Sequence, residues 1–184
     1  EKNYKRDALK KAIFSELENV VVRLAATCQL IQTHRGTRDK ESLTWIKNIY
    51  EKYRLNTPQT TLDNINKLLT VSNEEFALLT SLMKAKENAC LGFKKSSLPY
   101  LESVLSDLFL FDTTLRRETL EVRSLIDILN EDIENTQYYH RLTFDSSIIG
   151  GNRDTLMKNI DNGHIEIEKR CKSIVNKIIK LLDS

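Results

Sequence analysis

Three observations place this chain among the all-α proteins, as an elongated, mostly antiparallel bundle of four long helices with additional short ones. Apolar residues recur at steps of three and four over long runs, the mark of a helix with one buried face. Only two prolines and five glycines interrupt 184 residues, whereas an α/β fold needs glycine-rich turns at its strand ends. Leu, Lys and Glu, which favour helices, are abundant between those breaks.

The run over 153–182 is the clearest. Its apolar seam is Leu156, Ile160, His164, Ile167, Cys171, Ile174, Ile178 and Leu181. Lys158, Asp161, Glu166, Glu168, Lys169, Lys172 and Lys177 lie between and read as a solvated outer face. A helix of about 30 residues is roughly 45 Å long and cannot bury such a stripe alone, so long helices must lie beside it.

Taken in order, residues 4–34 form a first long helix on Leu9, Ile13, Leu17, Val20, Leu24, Cys28 and Ile31, and Gly36 is placed to end it. Asp39 or Ser42 can cap a shorter helix over 40–54, carrying Leu43, Ile46, Ile49, Tyr50 and Tyr53. Asn56-Thr57-Pro58 breaks it, and Thr57 as N-cap with Pro58 at the first position opens another over 59–70. The 37–71 region thus reads as a crossover or lobe on a single domain spanning 1–184.

Ser72 and Glu75 make a capping box that opens a helix over 73–92, on Phe76, Leu79, Leu82, Met83, Lys86 and Cys90. A short helix over 98–110 follows Pro99. Asp112 is a natural cap for the long helix over 113–142, with Val122, Ile126, Leu129, Ile133, Thr136 and His140 on its seam. The turn over 143–151 ends in Gly150-Gly151, and Asn152 is the expected cap of the last helix.

Charge bounds function weakly. The net charge of +2 is too close to balance to argue for nucleic acid, and the basic residues are not interleaved with aromatics. Residues 1–54 hold 12 Lys and Arg against 7 Asp and Glu, while 96–145 hold 4 against 10. The expected use is internal, a basic helix beside an acidic one. Cys28, Cys90 and Cys171 are far apart and lack CxxC spacing, so they read as buried thiols in a reducing compartment.

No motif for nucleophilic catalysis, nucleotide binding or a di-iron centre occurs, so no enzymatic activity and no cofactor is expected. The metal candidates are His140, His164 and Asp161: the two histidines fall on facing seams at similar heights along one hairpin, with the carboxylate nearby. Two imidazoles and one carboxylate are a sparse set for zinc. Tyr138, Tyr139, Phe144, Ile148 and Ile149 form an apolar end to that hairpin, which either covers the bundle's end or contacts a partner.

The opening Tyr4-Lys5-Arg6-Asp7-Ala8-Leu9-Lys10-Lys11-Ala12-Ile13-Phe14-Ser15-Glu16-Leu17-Glu18 resembles the start of bacterial helical domains that follow a single N-terminal transmembrane helix. Leu98-Pro99-Tyr100-Leu101-Glu102, and Leu125-Ile126-Asp127-Ile128-Leu129-Asn130-Glu131, are similar to their middle part. The resemblance implies a membrane-tethered domain on the cytoplasmic side of the inner membrane, or a cytoplasmic one, with an anchor upstream of Glu1 and no catalytic residues. The 37–71 insert departs from that pattern. The expected function is a non-enzymatic interaction or scaffolding domain with a protein partner, able to form homo-oligomers. The alternative is a ligand- or metal-sensing bundle.

Overall fold

The computed structural model describes residues 2–53, 57–86 and 91–184, and among them every regular element is helical. In chain order these are α1 (Lys2–Arg35), α2 (Lys40–Lys52), α3 (Gln59–Thr70), α4 (Asn73–Met83), α5 (Pro99–Ser103), a 3-10 helix (Leu105–Leu110), α6 (Thr113–Leu142) and α7 (Gly151–Leu182). Cys90 and Asn56, invoked above, lie outside the described residues.

Three helices are long: α1 has 34 residues, α6 has 30 and α7 has 32. The predicted seams of α1 and α7 are buried throughout, and that of α6 is buried up to its half-buried His140. α7 packs along both α1 and α6. Arg35 meets Asp161, while Cys28 Sγ donates to the Glu168 carbonyl, so α1 and α7 run in opposite directions. Lys177 with Glu121, and Arg170 with Asp132, set α6 against α7 in the same sense. One connected apolar core joins the long helices to α2, α3 and the 91–111 segment.

The fourth long helix expected over 73–92 ends at Met83 instead. The capping box is present, with Ser72 and Glu75 exchanging bonds of 3.1 and 2.9 Å. Yet α4 buries only Phe76 and Thr80. Leu82 on the expected seam is 72% exposed, so continuing the helix gains little burial. The chain turns away at Lys84, and the Ala85 N–H bonds to the His34 carbonyl at 3.1 Å.

An extended strap fills that side. The Gln137 amide donates to the Phe93 carbonyl at 2.6 Å. Asn130 accepts from the Ser96 N–H at 2.9 Å and donates to its carbonyl at 2.8 Å. Glu16 receives the first N–H groups of α5, Tyr100 at 2.8 Å and Leu101 at 2.9 Å. Side chains of α1 and α6 thus satisfy backbone that has no ladder of its own.

Two caps differ from expectation. α3 starts behind Pro58 with no side-chain cap, and α7 starts behind Gly150 rather than Asn152. Gly150 has φ +56, a region that side-chain-bearing residues rarely enter, and its carbonyl accepts from the Arg153 N–H. Charge is distributed differently as well. The acidic 96–145 region finds cations on α7 and the strap, at Lys177, Arg170 and Lys95, and on α1 at Lys5, which pairs with Asp107.

Candidate functional site at the hairpin end of the bundle

All three histidines of the chain gather where α1 ends and α6 turns into α7. α1 stops there because Gly36, at φ +65, closes its last turn: the Gly36 N–H bonds to the Thr33 carbonyl and the Thr37 N–H to the Gln32 carbonyl. The His34 ring meets the His164 ring edge-on at 5.3 Å, and Phe93 of the strap meets the same ring at 5.4 Å. His164 is 2% exposed, with its Nε2 atom buried and without a hydrogen-bond partner among the described residues. Burial, then the positive charge of neighbouring His34, lowers its pKa from 6.5 to about 4, against the opposing pull of Asp161. The imidazole is therefore neutral at pH 7.

The sequence-derived metal candidates are not brought together as a set. His164 faces His34 and Phe93, whereas the His140 ring lies against Phe144 at 5.3 Å. The Asp161 carboxylate is held by Arg35 at 2.8 Å, and that bond keeps its pKa below the usual carboxylate range. Among the described residues no cluster of three or more His, Cys, Asp or Glu side chains is placed to hold a metal ion. Cys28 and Cys171 are both buried. The neighbouring Cys171 thiol, with burial, pushes the Cys28 thiol far above its ordinary pKa, so it is a poor nucleophile.

The apolar hairpin residues divide. Tyr138 and Tyr139 rings are 5.8 Å apart on the last turns of α6, the first 53% exposed and the second half-buried. Phe144 is 78% and Ile149 74% exposed, while Ile148 is half-buried. The loop between them is held locally. Asp145 accepts from the Ser147 hydroxyl at 2.7 Å and its N–H at 2.9 Å, which lowers the Asp145 pKa. Beside the turn, a shallow groove of about 250 Å³ runs between α6 and α7, lined by Asn135, Tyr139, Asn159, Asn162 and Glu166 among others.

Two residues that position this end escaped the sequence reading. His34 continues the α1 stripe by one step of three beyond Ile31, a signal present in the spacing but not used. Gly163 lies where α7 crosses α6, and a Cβ there would overlap the Thr136 hydroxyl.

Fold and site together define an all-helical protein with a buried histidine contact and an uncovered apolar turn at one end. No protein-family model matches the chain, and neither the curated proteins nor the solved structures contain a match. No helix among the described residues is long and apolar enough to cross a membrane.

Proposed function

We infer that this chain, as an elongated helical bundle, is a non-enzymatic interaction or scaffolding module that docks a protein partner on the α6–α7 hairpin end. The observation that supports this is the exposure of Phe144 and Ile149, two large apolar side chains left in solvent within one short turn. Isolated exposed apolar residues are ordinary, but here two fall five positions apart in one turn, with half-buried Ile148 beside Ile149. The internal hydrogen bonds of the turn hold it in shape before binding, which lowers the ordering cost of association.

A photo-crosslinking residue at Phe144, compared with one at exposed Leu78 on α4, tests this reading in cells. A discrete adduct specific to position 144 and lost on Ile149→Asp is the expected result. Equal or absent adducts at both positions overturn it.

The reading includes a tether at the cytoplasmic face of a bacterial membrane. It draws on the start of α1, where Lys5, Arg6 and Lys11 are exposed and the first buried residue among those described is Leu9. Vesicles with and without anionic lipid measure it: salt-sensitive binding reduced by Lys5→Glu and Arg6→Glu is expected.

A further inference from the structure

We propose that the buried His34–His164 contact is an acid-operated latch, which holds the 91–98 strap against the bundle at neutral pH and releases it on protonation, enlarging the apolar surface at the hairpin end. This rests on the docking reading, since it assigns regulation to the same end of the molecule.

The geometry carries the argument. Phe93 is buried, and its ring packs on the edge of the His164 ring. Its carbonyl is tied to α6 through Gln137. Nothing among the described residues bonds to His164 Nε2, so a proton added there would sit buried, without an acceptor, against an aromatic ring.

The surrounding charges worsen that. From α1 come His34 and Arg35, from α6 His140, and from α7 Asp161, already paired with Arg35. Lys84 lies over Gly36 beside them, and Lys94 flanks Phe93 in the strap. Lys95 is paired with Glu134. Asp161, held below the usual carboxylate range by Arg35, stays ionised as pH falls to 5, but its charge is already shared with that guanidinium.

The least costly relief is local. Moving the strap away opens His164 to water, while the mid-bundle seams of α6 and α7 stay packed. Phe93 then adds to the apolar surface already offered by Phe144 and Ile149. An imidazole that titrates at about 4 when closed and 6.5 when open multiplies the opening equilibrium roughly 30-fold between pH 7.5 and pH 5.

Hydrogen exchange of the full chain without any partner, corrected for the intrinsic pH dependence of exchange, tests the latch separately from docking. In the wild type, protection of the Ser96 amide, bonded to Asn130, should fall by roughly 30-fold from pH 7.5 to pH 5 and should be insensitive to low urea, as a local opening is, whereas the 122–133 amides should exchange more slowly and with the urea dependence of global unfolding. In His164→Phe, which fills the site with a ring that cannot charge, Ser96 should keep its protection at both pH values. His164→Leu serves the same purpose if the larger ring prevents folding. Unchanged wild-type protection, or an equal loss in a folded His164 variant, overturns the latch and leaves docking at neutral pH untouched.

Discussion

Gly163 shows how one missing side chain sets a helix crossing. On sequence alone a mid-helix glycine costs about 1 kcal/mol against alanine, yet here a Cβ would overlap Thr136 Oγ1. That hydroxyl donates to the Asp132 carbonyl at 2.8 Å and cannot move without losing its bond. Gly163→Ala should therefore destabilise the protein by about 1–2 kcal/mol in urea unfolding, despite the gain in propensity. On a Thr136→Ala background the same change should become neutral or stabilising. His164 supplies the pH dependence. Its folded pKa of about 4 lies below the ordinary 6.5, so the unfolded chain binds the extra proton. Stability is then full above pH 6.5 and declines as pH falls toward 4, by about 3 kcal/mol in total. Urea midpoints between pH 7.5 and 4.5 should trace that decline, and His164→Phe should flatten it. The periodicity showed that position 164 faces inward, but not which ring it meets. That pairing depends on where α1 stops, and Gly36 sets it two residues beyond His34.

Element by element, the long helices were legible because burial rewards every repeat of their stripes. Leu9 through Ile31, Val122 through Thr136 and Leu156 through Leu181 are all inside where the spacing put them. The misreading over 73–92 came from treating exposed Leu82 and Met83 as seam residues. The strap could not be foreseen, since its bonds come from side chains more than thirty positions away. Its attachments make two sharp predictions. Asn130→Ala leaves the Ser96 N–H and carbonyl, in a residue only 8% exposed, without their partner, and should cost about 1–3 kcal/mol. Glu16→Ala removes the acceptor for the first two N–H groups of α5 and should cost about 1 kcal/mol. Chemical denaturation measures both. Exchange confined to 91–103 would separate loosening of the strap from general weakening.

For the molecule as a whole, the outcome is uneven. The all-helical class followed from composition and periodicity, and the uncovered turn at Phe144 and Ile149 lies where the polar helix pattern breaks off into an apolar hairpin. The histidine contact required three helices and the strap to be assembled, so no local pattern announced it. Replacing Phe144 and Ile149 by Ser should leave the thermal midpoint within about 2 °C, because exposed side chains contribute little to stability. It should lower dye binding to exposed apolar surface.

The central place of α7 has a cost in time. α1 closes against residues 126 to 140 positions further along the chain, as the Arg35–Asp161 and Cys28–Glu168 contacts show. A nascent α1 leaving the ribosome therefore waits, its greasy face shielded in part by α2, until α7 has been translated. The α6–α7 hairpin, whose contacts are closer in sequence, is expected to form before α1 docks, which φ-value analysis of Ile133→Val against Ile13→Val would check. Chaperone dependence during synthesis should accordingly fall on the first helix, although it is among the most deeply packed parts of the finished protein.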